Sequence, residues 1–186
     1  MRKLIVFDMI SLDGYFVDAK GDMSLAHTQD PELQRFVENN AKGGGVLLFG
    51  RITYDLMVKY WPTPMAMQND PVVARQMNEL QKVVFSRTMT TATWNNTKLA
   101  KDAVTEVRKM KKESGKDMVL MGSGTIVSRL AQEALIDEYQ FLVIPIVLGG
   151  GRTLFEGVKE KLNLKLSNSR VFNNGCVFLK YEPVGK

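Results

Sequence analysis

The sequence contains very few of the side chains that bind metals or undergo redox chemistry. Among 186 residues there is one cysteine, Cys176, and one histidine, His27. A single cysteine excludes an internal disulfide and a cysteine-based zinc site, and it is typical of a chain that works in the reducing cytoplasm. A single histidine excludes the usual multi-histidine metal sites, and any histidine-dependent hydrolytic triad would have to use His27. We therefore expect a cytoplasmic protein whose chemistry needs no metal.

Long hydrophobic runs are also missing. The N-terminal apolar segment, Leu4–Phe7, is interrupted by Asp8, which excludes an export signal of the usual kind. The longest apolar stretch, Phe141–Leu148, contains Pro145 and is far shorter than the roughly 20 residues that cross a bilayer. The net charge of +5 favours acidic ligands, but no basic arm accompanies it. We expect neither a membrane nor a nucleic-acid partner.

The apolar segments predict an α/β fold in one domain spanning residues 1–186. A chain of this size can bury roughly 70% of its unfolded surface in one core. Short apolar runs typical of buried strands alternate with segments of helical periodicity that begin near Pro31, Gly50 and Pro71. The expected strands cover residues 3–10, 46–49, 83–85, 118–121 and 139–147, followed by a hairpin over 164–172 and 177–182. We predict a mostly parallel sheet with an antiparallel C-terminal edge, and a long loop from Asp13 to Asp22.

Three junctions between a predicted strand and the segment that follows it have the composition of an anion-binding site. Ligands of open α/β sheets bind where the strands end and the N-termini of helices point outward. Taken singly, each junction is explained at least as well by ordinary turn chemistry. The junctions are, in chain order, Phe49–Thr53, Ser86–Thr88 and Gly122–Thr125. The third lacks the last glycine of the dinucleotide fingerprint, because Val127 occupies that position. The candidate cofactor-binding residues are Gly50, Arg51, Thr53, Ser86, Arg87, Gly122, Ser123, Gly124, Thr125 and Ile126.

Four motifs together resemble the dihydrofolate-reductase-like superfamily. The segments Ser11–Gly14, Phe49–Tyr54, Met121–Gly124 and Pro145–Phe155 occur in the order and spacing of that superfamily. More closely, the chain is similar to the C-terminal reductase domain of the bifunctional riboflavin-biosynthesis deaminase/reductase. The similarity extends over residues 3–182. It implies a three-layer fold and an NADPH-dependent reductase, and it leaves the substrate open.

The resemblance also implies a role for each junction. The helix at Gly50 and Arg51 and the turn at Ser86 and Arg87 would hold the adenosine and its 2′-phosphate, and the helix after Gly122 would hold the pyrophosphate. Two arginines favour NADPH over NADH on charge. The segment from Asp13 to Asp22 would close over the nicotinamide. One departure is Ser123, which stands where dihydrofolate reductases have the second of two adjacent glycines.

Reduction of a carbonyl or imine needs a proton as well as a hydride, so one acid should line the pocket. Glu32 matches the position of the carboxylate that binds the pterin in dihydrofolate reductases, although a first-turn acid also suits the helix dipole. Asp13 is the other candidate, for substrate contact or for shaping a turn. Trp61 would either wall a pocket for a planar ring or anchor a loop. Arg152 would bind the phosphate of a phosphorylated substrate.

Three functions remain open at this point. The first is reduction of a phosphoribosylamino-pyrimidine in riboflavin biosynthesis, the second is reduction of dihydrofolate or another pteridine, and the third is NADPH binding without turnover. The chain contains no deaminase domain, so we do not expect the complete bifunctional activity. The resemblance further implies a homodimer that pairs through its sheets. The C-terminal strand residues Val171, Phe172, Val177 and Phe178 would contribute the exposed edge.

Overall fold

In the part of the chain that the structure describes, ten strands and six helices follow one another much as the apolar pattern predicts. The computed structural model describes residues 2–23, 25 and 30–185. The strands are β1 (Leu4–Ser11), β2 (Tyr15–Asp18), β3 (Val46–Gly50), β4 (Lys82–Phe85), β5 (Thr97–Ala100), β6 (Met118–Leu120), β7 (Glu138–Ile144), β8 (Gly151–Thr153), β9 (Leu164–Val171) and β10 (Val177–Pro183). The helices are α1 (Pro31–Lys42), α2 (Arg51–Tyr60), α3 (Pro64–Asn69), α4 (Pro71–Glu79), α5 (Ala103–Lys112) and α6 (Gly124–Gln132).

Eight of these strands form one sheet in the order β5-β4-β3-β6-β1-β7-β10-β9. The pairs from β5 to β7 are parallel, whereas β10 runs antiparallel to both β7 and β9. Strand β6 arrives late in the chain but is inserted between β3 and β1. The predicted α/β class, with a mostly parallel sheet and an antiparallel C-terminal hairpin, is confirmed.

The period-2 alternation of the strands divides the core between the two faces of the sheet. In β3, Val46 and Leu48 pack in the cluster that contains α5 and α6, whereas Leu47 and Phe49 pack against α2 and α4. Helix α1 covers the same face as α2 and α4, through Leu33. Both faces of the parallel strands are therefore buried, which explains why these strands are continuously apolar in the sequence.

Within the described residues, no helix combines the length and the apolarity that crossing a bilayer requires.

Two parts of the predicted layout are wrong. The segment from Asp13 to Asp22 is not only a loop, because it contains β2, which pairs antiparallel with β8. The strand predicted to run to Val147 ends at Ile144, and β8 follows it. Helix α3 and strand β5 were not predicted either. The pairing of β2 with β8 joins segments more than 130 residues apart, and their local patterns do not contain that information.

The two-stranded sheet of β2 and β8 lies against the start of α6, and a glycine makes this approach possible. A Cβ atom built on Gly124 would lie 2.2 Å from the carbonyl oxygen of Thr153. The backbone of β8 therefore occupies the volume that any larger residue would need at the first position of the helix. This contact connects β8, and through it β2, to the carboxyl edge of the main sheet.

We predict that Gly124→Ala lowers the free energy of unfolding by about 1–3 kcal/mol, because the methyl group overlaps the Thr153 carbonyl. A glycine-to-alanine change within a helix usually raises the free energy of unfolding, so a decrease would be diagnostic of the overlap with Thr153. Gly150→Ala is the matched control, since no atom lies within 4 Å of its added Cβ. Urea denaturation of both variants measures the difference. A Gly124→Ala protein as stable as Gly150→Ala would contradict the packing described.

Candidate functional site

A notch in the carboxyl edge of the sheet marks the candidate site. Strand β6 has only three residues, which pair with Leu4–Val6 of β1 and Val46–Leu48 of β3. Both neighbouring strands continue past its end, β1 to Ser11 and β3 to Gly50. The chain leaving β6 at Met121 and Gly122 therefore lies between two longer strands. Such a position beside the carboxyl ends of parallel strands is where open α/β sheets bind ligands.

The first and third predicted junctions meet in this notch through Ser123. The backbone N–H of Gly50 donates to Ser123 Oγ at 2.8 Å, and Thr53 Oγ1 lies 3.0 Å from the same atom. A Cβ on Gly50 would be only 2.3 Å from Ser123 Oγ, so glycine is required there. Ser123 itself has a left-handed backbone conformation, with φ +64°. Ser123 stands where dihydrofolate reductases have the second of two adjacent glycines. Its hydroxyl thus links the end of β3, at Gly50, to the chain that follows β6.

The helices that begin in the notch leave their N-terminal amides without a side-chain cap. Helices α2 and α6 have no capping side chain and no acidic residue in the first turn. In contrast, Asp30 caps α1 and Asp102 caps α5. Two adjacent helix N-termini with free N–H donors and positive dipole ends favour a bound anion. This donor set fits the pyrophosphate of a dinucleotide.

The second junction lies at the same edge, because β4 pairs with β3 in parallel register, Gly50 opposite Phe85. Ser86 follows β4, and its Oγ accepts the N–H of Met89 at 3.0 Å, so this side chain shapes the turn. Arg87 is exposed beside it. The structure therefore brings all three junctions to one edge of the sheet.

Arg51, at the first position of α2, already has a partner in this structure. Its guanidinium forms an ion pair with Asp55, one helical turn later, at 3.1 Å. The two side chains are 50% and 42% exposed, so the pair is worth little and a ligand phosphate can compete for the arginine.

A cavity of about 300 Å³ opens beside the notch, between the end of β1 and helices α1, α2 and α4. Trp61 borders it, so the pocket-wall interpretation of this residue agrees with its position. The indole Nε1 donates to Met57 Sδ at 3.1 Å, and Asn78 donates to the Trp61 carbonyl, so Trp61 also anchors the end of α2. The lining residues are Phe7, Asp8, Met9, Phe16, Gly21, Met23, Leu33, Gln34, Val37, Leu56, Met57, Tyr60, Trp61, Asp70, Val73, Met77 and Met121.

Asp8 is the buried acid of this cavity, whereas Asp70 on its rim is only half-buried, and the sequence analysis did not select Asp8. The side chain is 7% exposed, and its Oδ1 accepts the N–H of Gly122 at 2.8 Å. Its Oδ2 is buried and makes no hydrogen bond with the described part of the protein. Burial raises the pKa of Asp8 well above its ordinary value of 3.8, although the Gly122 N–H opposes this change. The available signal was an acidic residue inside a strand that is otherwise apolar, which we used only to exclude an export signal.

The two acids selected from the sequence lie elsewhere. Glu32 accepts hydrogen bonds from Arg170 at 2.7 Å and Asn173 at 3.0 Å, which join α1 to the C-terminal hairpin. It is not among the described residues that line the cavity. The helix dipole, the Arg170 guanidinium and the Asn173 amide explain its position without a substrate.

Asp13 is exposed and organises a turn. It accepts a hydrogen bond from Ser11 Oγ at 2.6 Å and from the backbone N–H groups of Leu148 and Gly149 at 3.2 and 2.8 Å. These hydrogen bonds lower the pKa of Asp13. Of the two interpretations offered for this residue, the geometry favours the turn. The catalytic roles of Glu32 and Asp13 stay predictions.

The remaining candidates are scattered. Arg152 is exposed on β8, next to the Thr153 carbonyl that touches Gly124, and it does not line the cavity among the described residues. Its proposed contact with a substrate phosphate stays a prediction. Cys176 is 2% exposed and packs in the core under the hairpin. His27 lies outside the described residues.

Comparison with known proteins identifies relatives over almost the entire chain. A family model described as the RibD C-terminal domain matches residues 2–178. YyaP, an uncharacterised protein of Bacillus subtilis (strain 168), is 29% identical over 180 residues, which cover 97% of this chain and 94% of that one. A second uncharacterised protein of that strain, YwjB, is 24% identical over 174 residues and covers 92% of each chain.

Solved structures share the fold. A protein of Shewanella sp. PV-4, described as a candidate riboflavin biosynthesis protein, superposes with a TM-score of 0.77 at 25% identity and covers 97% of this chain and 98% of that one. A Thermotoga maritima diaminohydroxyphosphoribosylaminopyrimidine deaminase/5-amino-6-(5-phosphoribosylamino)uracil reductase superposes with a TM-score of 0.68 at 15% identity. The alignment covers 98% of this chain but 56% of that bifunctional one. These findings confirm the resemblance inferred from the four motifs.

We predict that Asp8→Asn stabilises the protein increasingly as the pH rises. Because the folded-state pKa is raised above the unfolded value, the native protein binds the Asp8 proton more tightly, and stability is lost as the pH rises through the folded pKa. Asparagine does not titrate, so the melting temperature of the variant should exceed that of the wild type by a margin that grows with pH. Calorimetry between about pH 4 and about pH 9 measures this margin.

Asp13→Asn is the companion variant and should behave in the opposite way. The pKa of Asp13 is lowered by its hydrogen bonds, so the ionised side chain stabilises the native state above the unfolded pKa, and this contribution is lost as the pH falls through the folded pKa. The variant should therefore be less stable than the wild type at neutral pH and approach it in acid. The same sign of effect for both variants would contradict the two assignments.

Proposed function

The chain belongs to the RibD C-terminal domain family, and on that premise we propose that it is an NADPH-dependent reductase of the riboflavin-biosynthesis type. The observation that carries this proposal is the notch in the sheet. Two uncapped helix N-termini, joined by Ser123 Oγ, stand beside an apolar cavity that contains a buried acid. The helix N-termini suit a dinucleotide, and the apolar cavity suits a small planar substrate.

The proposed cofactor would be held by the three junctions. The first-turn amides of α6, at Gly124 and Thr125, would bind the pyrophosphate, and Arg51 and Arg87 would neutralise the 2′-phosphate. NADPH supplies the hydride. The contribution of the chain is to hold the phosphates at the edge of the sheet so that the other end of the cofactor reaches the cavity bordered by Asp8 and Met121.

The proposed substrate is a pyrimidine or a pteridine. The name of the Thermotoga maritima enzyme specifies a phosphoribosylamino-pyrimidine, which supports the pyrimidine as the first candidate. In that case Arg152 would bind the phosphate. A pteridine is the second candidate, and the largely apolar lining of the cavity beside Trp61 favours a ring of this kind. A spectrophotometric screen of NADPH oxidation against both classes separates them.

The third possibility, NADPH binding without turnover, depends on whether an acid approaches the site of reduction. Glu32 and Asp13 are engaged at other places, which by itself favours a binding protein. Asp8 changes this conclusion because it provides a buried carboxyl group where the cavity meets the cofactor junction. We therefore keep the reductase as the proposed function.

A homodimer is also part of the proposal. Strand β9 forms one edge of the sheet and is exposed along nearly its whole length, with Val171 72% and Leu166 47% exposed. Unpaired edge strands with apolar side chains are sites of association. A second copy of the chain can cover this edge through a two-fold contact.

We predict that NADPH binds at least about tenfold more tightly than NADH, since each charge-assisted contact with the 2′-phosphate contributes about 1.5–3 kcal/mol before solvent screening. Arg51→Ala should reduce this difference. Arg108→Ala is the matched control, because Arg108 on α5 is a similarly exposed arginine that pairs with the carboxylate of Glu133, the residue after α6. Isothermal titration calorimetry decides the question. Equal affinities for the two cofactors in the wild type would refute the arginine assignment.

We further predict a dimer with twice the 20.9 kDa mass of the chain. Val171→Lys should shift it to the monomer, because a charge on the edge strand opposes sheet pairing. Val184→Lys, at a residue that is 62% exposed and follows β10, is the control and should leave the mass unchanged. Light scattering at micromolar concentrations measures both. A monomeric wild type would rule out the dimer.

A further inference from the structure

The cavity wall has a composition that is unusual for a site that takes a phosphorylated substrate. Five of the protein's 11 methionines border it, Met9, Met23, Met57, Met77 and Met121. Methionine side chains are flexible and polarisable, and they make favourable contacts with aromatic rings. No lysine or arginine is among the lining residues in the described part of the chain. The wall therefore favours an uncharged aromatic ring and offers no cation to a phosphate.

The polar groups of the cavity are few, and one of them has a buried oxygen without a hydrogen-bond partner among the described residues. Asp8 is more than nine-tenths buried, its Oδ1 is occupied by the Gly122 N–H, and its Oδ2 makes no hydrogen bond with any described residue. A buried polar atom without a partner is costly, so its position calls for a ligand that satisfies it. Gly122 directly precedes the N-cap of α6, so Asp8 stands between the cavity and the proposed cofactor site.

We propose that the substrate is an uncharged, largely apolar planar ring compound with a carbonyl or imine acceptor, and that Asp8 binds this acceptor through a protonated Oδ2. The inference rests on the proposed reductase function and specifies its substrate class. This class replaces the phosphoribosyl pyrimidine as the first candidate, because the charged end of that compound would have no partner among the described residues that line the cavity. Asp8 is then a catalytic residue on β1, where neither acid selected from the sequence lies.

The surroundings of Asp8 favour its neutral form. The other ionisable groups that border the cavity in the described chain are Tyr60, at the end of α2, and Asp70, at the start of α4. The three residues of β6, on one side of β1, are apolar, and Phe141 of β7 is in register with Asp8 on the other side. Helix α1 contributes Leu33, Gln34 and Val37. None of these elements places a cation in the cavity, in agreement with the raised pKa of Asp8.

A neutral carboxyl group in this position can complete a reduction. The acceptor carbon receives a hydride from the proposed nicotinamide cofactor, which is thereby oxidised, and the π bond to nitrogen or oxygen breaks. The proton on Asp8 Oδ2 moves to that nitrogen or oxygen. Asp8 is left as a carboxylate, with Oδ1 still bound to the Gly122 N–H, and it regains a proton from solvent after the product leaves.

Binding of two isosteric probes tests the proposal without turnover. Quinoxaline is an uncharged bicycle with two ring-nitrogen acceptors, and naphthalene has the same shape without them. The wild type should bind quinoxaline about tenfold more tightly than naphthalene at acidic pH, and this preference should fade as the pH rises and Asp8 ionises. Quenching of Trp61 fluorescence and calorimetry measure the affinities.

The Asp8→Asn variant distinguishes the two roles proposed for Asp8, which are donating a hydrogen bond to the acceptor and transferring a proton to it. The asparagine Nδ2 donates where the protonated Oδ2 does, so this variant should keep the preference for quinoxaline at every pH and lose about 10²-fold in turnover of any substrate found in the NADPH screen. Glu133→Gln, at a carboxylate that pairs with Arg108 and is not among the described residues lining the cavity, should lose little turnover. Asp70→Asn should retain the pH dependence of the wild type.

Three results would overturn the inference. Equal binding of quinoxaline and naphthalene to the wild type at all pH values would exclude a contact between Asp8 and the ring. Tighter binding of uridine 5′-monophosphate than of quinoxaline would refute the uncharged substrate class. Wild-type turnover by the Asp8→Asn enzyme would show that Asp8 is not the proton donor. The comparison of NADPH with NADH tests the proposed function separately, because it does not depend on what the cavity binds.

Discussion

The hydroxyl of Ser123 holds the site together, because it connects the ends of two strands that are far apart in the sequence. It accepts the N–H of Gly50, where β3 becomes α2, and it lies within hydrogen-bond distance of Thr53 in the first turn of that helix. Both α2 and α6 therefore begin at one point of the sheet edge. Because Ser123 does not cap its own helix, the first amides of α6 remain available to a ligand. One side chain thus brings the N-terminal ends of two helices to the same point of the sheet edge.

The cavity depends on a second constraint, which is the shortness of β6. A longer β6 would continue its backbone pairing with β1 beyond Val6. Instead the chain turns at Gly122, and its N–H bonds to the Asp8 carboxyl group. Burial of an acid with one unpaired oxygen opposes stability, as expected for a group that serves function. The structure thus accepts a local cost at the place where the proposed chemistry occurs.

Much of the fold follows from local signals in the sequence. Pro31 and Pro71 begin helices as predicted, and Asn174 and Gly175 lie in the turn of the C-terminal hairpin. The three anion junctions were predicted from glycine, serine and arginine after apolar runs, and they do meet at one edge. The pairing of β2 with β8 was not predictable, because a three-residue strand such as Gly151–Thr153 has no pattern of its own.

The identity of the pocket acid shows where local reasoning ends. By itself the sequence determined the alternation of strands and helices, the parallel core and the family, because apolar periodicity, helix-start residues and motif spacing are properties of neighbouring residues. Only the tertiary structure decided that Glu32 faces Arg170 in the hairpin and that Asp8 faces the cavity. The reason is physical: the charge state and role of a carboxyl group depend on its burial and on partners more than 100 residues away, and those distances exist only in the folded chain.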